Sequence, residues 1–264
     1  MLANEPTLND NQIESKNAST STAASSLHSD GSVLVAWIVN ICESIWDLVY
    51  PILCDDSPEG TNFLAEDGED APDIGIKDTL SYAWRALKEG SLLLRALLNL
   101  AAKTAAVEED VLARIGRLLF TQLAQLRHRG AFSAVAATYA TFCSFCQTVC
   151  STSCQTLVSK LYEDTLACIQ AKSTALTRRS AGLPALTTGL LCANPSGPIT
   201  SRAMHDLQHI AGQPVGVGVT SELPQVHALN CLKDIFTNTK LGPVTEKYLS
   251  QVLAIAVECL DKDL

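Results

Sequence analysis

Apolar residues return every three or four positions along most of this chain. Between 33 and 49, Leu34, Trp37, Ile38, Ile41, Ile45, Leu48 and Val49 fall on one side of a helical wheel, with Asn40, Glu43, Ser44 and Asp47 opposite. The spacing predicts an amphipathic helix, and the two acidic residues argue against a membrane span over 33–54. The same period predicts helices over 78–87 (Leu80, Trp84, Leu87), 91–103 (Leu92, Leu93, Leu97, Leu98, Leu100) and 108–126 (Val111, Leu112, Ile115, Leu118, Leu119, Leu123). Further helices are expected over 131–150, 155–171, 180–192, 199–211, 224–236 and 244–260. Residues 131–159 carry no charge and are long enough for a bilayer core of about 30 Å, but their many Ser, Thr and Gln side chains favour a helix buried by neighbouring helices. No segment alternates convincingly as a strand.

Breaks in this pattern divide the chain. Residues 1–31 are rich in Asn, Ser, Thr and Ala, with few large apolar groups to offset the entropy of ordering them, and predict a disordered N-terminal arm. The amphipathic helix occupies 32–54. An acidic linker follows over 55–73, where Asp55-Asp56-Ser57-Pro58-Glu59-Gly60 and Glu66-Asp67-Gly68-Glu69-Asp70-Ala71-Pro72-Asp73 supply turn residues and negative charge. Residues 74–264 then read as one helical-repeat domain. Consecutive medium-length helices on short connections suggest an all-α fold, an α-solenoid of HEAT/armadillo-like helix pairs, although no sequence period repeats.

Composition agrees with helices. Of 264 residues, 47% are hydrophobic and only 5% aromatic, which suits Ala- and Leu-rich helices and excludes wholesale disorder. The net charge of −9 is uneven: residues 1–73 hold 14 Asp and Glu against one Lys, a net of −13, and the remainder is +4. A mildly basic body permits an RNA or phosphate partner without requiring one. Ten cysteines are too sparse for a small disulfide scaffold, and the opening Met1-Leu2-Ala3-Asn4-Glu5-Pro6 is not a signal sequence, so a reducing, cytoplasmic setting is expected.

Catalytic chemistry finds little support. Cys143, Cys146, Cys150 and Cys154 share one helical face, but eleven residues of helix span about 16 Å, too far for one tetrahedral metal site. They read as small buried residues. His205 and His209 stand at i and i+4 as in H-E-x-x-H, but Asp206 replaces the glutamate, and a third ligand would have to be His227 or Glu222. A zinc hydrolase on those residues is one alternative class, and no cofactor is implied. The glycine-rich run 212–218 lacks the Lys-Ser/Thr ending of a phosphate loop.

Two basic clusters remain. Arg127-His128-Arg129-Gly130 sits at a turn between helices, and Thr177-Arg178-Arg179-Ser180-Ala181-Gly182-Leu183-Pro184 leads into another. Adjacent arginines point about 100° apart on a helix and can serve internal carboxylates as readily as a ligand. The second cluster combines planar donors suited to phosphate, a hydroxyl, and small residues that admit a second backbone, at a turn Pro184 can start.

The run 177–186 resembles the signature of the THADA-type family, the thyroid-adenoma-associated proteins and their fungal relatives. Three further runs fit the same family in the same order: Leu80-Ser81-Tyr82-Ala83-Trp84-Arg85-Ala86-Leu87-Lys88-Glu89 with Leu92-Leu93-Leu94, then His128-Arg129-Gly130-Ala131-Phe132, then Pro224-Gln225-Val226-His227-Ala228-Leu229-Asn230 through Thr239-Lys240-Leu241-Gly242. The similarity covers roughly 78–258. It implies a non-catalytic, helical-repeat accessory subunit of a tRNA 2′-O-ribose methyltransferase, acting on a ribose hydroxyl of the anticodon loop with no membrane partner. The family's arginine signature, implied to face methyltransferase and tRNA, maps onto Arg178, Arg179, Ser180, Ala181, Gly182, Leu183 and Pro184, and Arg127 and Arg129 are further RNA or partner contacts. The departure is length, since family members are far longer. A helical-repeat adaptor that binds only proteins is the alternative.

Overall fold

The computed structural model describes residues 10–54, 75–104, 107–126, 128–149, 151–171, 182–213 and 223–260, with backbone alone at 10–30, 76, 103, 104 and 223. Ten α-helices are described: α1 Asp10–Leu53, α2 Ile76–Thr104, α3 Glu109–Gln125, α4 Arg129–Val149, α5 Thr152–Gln170, α6 Gly182–Ala193, α7 Pro198–Ala211, α8 Leu223–Thr237, α9 Gly242–Thr245 and α10 Leu249–Leu260, with a 3₁₀ turn Glu246–Tyr248 before the last. The described residues contain no strand, and the fold is all-α.

Several boundaries differ from the sequence reading. α1 starts at Asp10, inside the segment expected as an arm, because no Gly or Pro interrupts residues 10–30. The helices expected at 78–87 and 91–103 are one helix, α2. Gly90 does not break it, because α1 crosses there: a Cβ at Gly90 would meet Ile45 Cδ1 at 3.6 Å and Cys42 Sγ at 3.8 Å. Burial pushes the Cys42 thiol up to about 11, so it stays protonated and donates to the Gly90 carbonyl at 3.6 Å. The uncharged stretch 131–159 is divided between α4 and α5, with Ser151 capping α5 by accepting from the Cys154 amide at 3.1 Å. The expected helix at 244–260 is split by the 3₁₀ turn.

Helices pack in two rows. α2, α4, α6 and α8 succeed one another in one row and α1, α3, α5 and α7 in the other, while α1–α2, α3–α4, α5–α6 and α7–α8 pair across them. Within the first row α2 and α4 run the same way: Trp84 lies over Gly130, and about two turns further along both helices the Thr138 hydroxyl donates to the Ser91 carbonyl at 2.9 Å. α4 and α6 also run together, Tyr139 against Gly189 and Cys143 near Cys192. The N-terminal ends of α4 and α6 therefore share one edge, which α2 passes at Trp84, two turns after its own start.

The core lies between the rows. Val39, Cys42, Trp46, Val49 and Leu53 bury one side of α1 against α2, while Leu34, Trp37 and Leu48 of the expected apolar stripe are exposed. By length and composition the segment Gly31–Leu53 is long and apolar enough to cross a bilayer. Tyr139 and Phe142 are wholly buried with stacked rings 6.3 Å apart, and glycines accept them: a Cβ at Gly116 would come within 2.8 Å of Phe142, and one at Gly189 within 2.8 Å of Tyr139. On the outer row Arg114 of α3 grips Glu43 and Asn40 of α1, its Nε donating to Glu43 at 3.1 Å. This pair is half exposed and stabilises modestly.

Two glycine substitutions have opposite expected signs. Gly189→Ala forces a methyl against the Tyr139 ring and should destabilise by about 1–3 kcal/mol. Gly90→Ala meets only ordinary contacts in mid-helix and should stabilise by about 0.5–1 kcal/mol. Urea unfolding monitored by helical circular dichroism measures both, and equal signs would contradict the packing described.

Candidate functional site

The shared edge gathers the runs that carry the family resemblance. Trp84, two turns into α2, reaches the first turn of α4, where a Cβ on Gly130 would fall 2.3 Å from the indole Nε1 and 3.0 Å from Cε2. Only glycine admits the indole there. The His128 ring stands edge-on to Trp84, centroids 6.1 Å apart, and the Lys88 ammonium lies 5.4 Å from the Trp84 centroid. His128 Nδ1 accepts from the Ala131 amide at 3.3 Å, so the imidazole caps α4 in its neutral form, and burial holds its pKa below the ordinary histidine value. Arg129, the first residue of α4, is exposed. Arg127 lies outside the described residues.

α6 enters this edge through a closer contact. A Cβ on Gly182 would sit 1.8 Å from the Leu123 carbonyl oxygen and 2.7 Å from its carbon, so the backbone of α6 begins directly against the last turn of α3. Leu123 is four residues before Arg127. Gly182, the first described residue after the second basic cluster, thus lies against the helix end that precedes the first. Leu183 and Pro184 are buried, so their contribution is packing of the first turn of α6 rather than open surface. Arg178, Arg179, Ser180 and Ala181 lie outside the described residues.

The fourth run adjoins the third. The Thr187 hydroxyl of α6 contacts Cys231 Sγ of α8 at 3.6 Å. In the first turns of α8, Gln225 and His227 are buried, and the Gln225 amide donates to the Gln213 carbonyl at 3.4 Å. Among the described residues, Gln225 Oε1 and His227 Nδ1 have no partner. Burial lowers the His227 pKa. Trp84 and Lys88 are members of this edge that the reading of basic clusters did not single out. Their signal was a tryptophan in one run and a glycine in another, which only the fold brings together.

The other candidates are placed elsewhere. Cys143, Cys146 and Cys154 are buried at the opposite ends of α4 and α5, where they line a cavity of about 290 Å³ with Leu190 and Ile199, and burial pushes the Cys143 and Cys146 thiols far up. Cys150 lies outside the described residues. His205 and His209 are exposed on α7. The neighbouring Asp206 accepts from the Tyr162 hydroxyl at 2.7 Å and faces Arg202 Nε at 3.5 Å, a structural tie between α5 and α7. His227 belongs to α8, and Glu222 lies outside the described residues. Among the described residues no group of three or more His, Cys, Asp or Glu is placed to hold a metal ion.

Comparison with known proteins bears on the same segment. The family model described as THADA/TRM732, DUF2428 matches residues 33–264. A Schizosaccharomyces pombe protein named tRNA (32-2′-O)-methyltransferase regulator trm732 is 36% identical over 243 residues, 88% of this chain. The tRNA (32-2′-O)-methyltransferase regulator THADA of Gallus gallus is 30% identical over 70% of the chain, and that of Homo sapiens is 28% identical over 70%. The chain spans 16% of the length of the fission yeast relative and 10% of each of these vertebrate ones. No solved structure matches.

Two measurements test this edge. Gly130→Ala should cost about 1–3 kcal/mol in the native chain and clearly less beside Trp84→Leu, a coupling that a double-mutant cycle reads directly. Additive costs would mean that the indole does not rest on Gly130. His128 and His227, with folded pKa values lowered from 6.5, take up protons on unfolding. Stability is therefore full above the unfolded value and falls as pH drops through about 6.5 towards the folded values. The urea midpoint should decrease between about pH 7.5 and 5.5, and replacing both histidines by Gln should flatten that slope.

Proposed function

This chain belongs to the THADA/TRM732 family, and from that premise we propose that it is part of a non-catalytic regulatory subunit of a tRNA 2′-O-ribose methyltransferase. The match over residues 33–264, to proteins named as regulators of such an enzyme, is the observation that carries this reading. The partner is the methyltransferase, the substrate it serves is the anticodon loop of tRNA, and the setting is cytoplasmic, away from membranes. The two helical rows are one stretch of an α-solenoid of HEAT/armadillo type.

The working surface is the edge where α4 and α6 begin, beside Trp84 and Lys88 of α2. Arg127 and Arg129 at the start of α4, and Arg178, Arg179 and Ser180 before α6, engage phosphate or the methyltransferase. Gly182, with Ala181, Leu183 and Pro184, holds the approach to α6. Helix N-terminal ends add partial positive charge on the same side. Such a subunit contributes by orienting the RNA and the enzyme, not by chemistry of its own.

Affinity for tRNA as a function of salt tests the reading. Binding should weaken steeply with rising salt, and Arg178→Ala with Arg179→Ala should lower affinity and reduce the salt slope by about two, at unchanged thermal stability. An affinity that the double substitution leaves unchanged would favour a protein-only adaptor, its twin arginines held by internal carboxylates.

A further inference from the structure

The cavity between the ends of α4 and α6 and the starts of α5 and α7 has no part in the working surface. Its floor is buried and consists of Cys143, Cys146, Cys154, Leu190 and Thr200. Cys146 lies beside Cys154 across the α4–α5 turn, and burial keeps the Cys143 and Cys146 thiols protonated. The Thr200 hydroxyl is already engaged, donating to the Asn194 carbonyl at 3.2 Å. What this floor offers a ligand is polarisable sulfur and aliphatic carbon.

The rim is polar. Gln147 and Asn194 are exposed there beside Pro198. Asn194 is held in place: a Cβ on Gly197 would fall 2.6 Å from Asn194 Nδ2, so the carboxamide folds over a glycine at the start of α7. Its main-chain carbonyl also accepts from the Gly197 amide at 3.0 Å. Each carboxamide carries both donors and an acceptor. Among the described residues, none that lines the cavity is Asp, Glu, Lys, Arg or His.

Size and chemistry together select the ligand. The volume of about 290 Å³ is roughly twice that of a cavity that holds one benzene ring, which leaves room for two fused rings. A charge carried inside would meet no counter-charge, so the ligand is neutral. Flat ring faces suit the sulfur-lined floor, and hydrogen-bonding ring edges suit the carboxamides, as when Asn or Gln reads adenine.

We infer that this cavity binds a neutral, planar heteroaromatic molecule of two fused rings, such as a purine base, with its ring on the floor of Cys146, Cys154 and Leu190 and its polar edge against Gln147 and Asn194. The site is independent of the methyltransferase reading, since the proposed working surface lies at the other ends of α4 and α6.

Isothermal titration calorimetry of the chain with adenine tests it. One-to-one binding is expected, weakened about fivefold by Gln147→Leu and abolished by Ala193→Phe, which puts a ring into the cavity. Gln147 is exposed, so its substitution leaves the fold intact and keeps the test decisive even where Ala193→Phe unfolds the chain. Indole, of similar size but without the acceptor edge, should bind several-fold more weakly. Competition with a short oligoadenylate strand identifies the source: displacement of adenine means a base presented by RNA, and no displacement a free small molecule, with the site retained in either case. No saturable binding to a chain shown to be folded, adenine affinity unchanged by Gln147→Leu, or indole bound as tightly as adenine would overturn the inference.

Discussion

The arrangement depends on a backbone-to-backbone approach at Gly182. With the Leu123 carbonyl oxygen only 1.8 Å from where a Cβ would be, α6 can begin there only without a side chain. That contact fixes the first turn of α6 against the end of α3, and the α3–α4 turn follows within a few residues. Gly130 does the same for α2 and α4 by admitting Trp84, and Gly189 lets α4 and α6 close around Tyr139. Small residues thus set how near neighbouring helices lie, while large ones such as Phe142 and Leu119 fill the space between the rows.

These contacts have an electrostatic result. Helices of one row run the same way, so their N-terminal ends stand together and not alternately with C-terminal ends. The sequence places Arg127 and Arg129 at one such end and Arg178 and Arg179 just before another. Under the proposed function, the positive charge of these arginines adds to the partial charge of the helix ends. At the opposite edge the cavity beside Cys146 and Cys154 is lined by uncharged groups, and the buried Cys143 and Cys146 thiols stay protonated.

Much of the local structure could be read from periodicity alone. Apolar spacing located the helices from α3 to α8 to within three residues at either end, since each has one buried stripe. Periodicity could not show that Gly90 continues α2, because that depends on α1 crossing above it. Nor could it show that 244–260 bends through a 3₁₀ turn, or that residues before Gly31 join the first helix. At the site, the value of Gly182 as a point of close approach was legible from its small neighbours, but Trp84 was not, since its partner Gly130 lies 46 residues away and nothing local connects them. Nor did sequence show that Gly182 meets the end of α3 at Leu123.

Hydrogen exchange read by mass spectrometry, on the chain alone and with tRNA and the methyltransferase, would locate the working surface most directly. The account predicts slowed exchange in the first turns of α4 and α6 and in the α3–α4 turn. Protection confined to the other edge, where α5 and α7 begin, would contradict it.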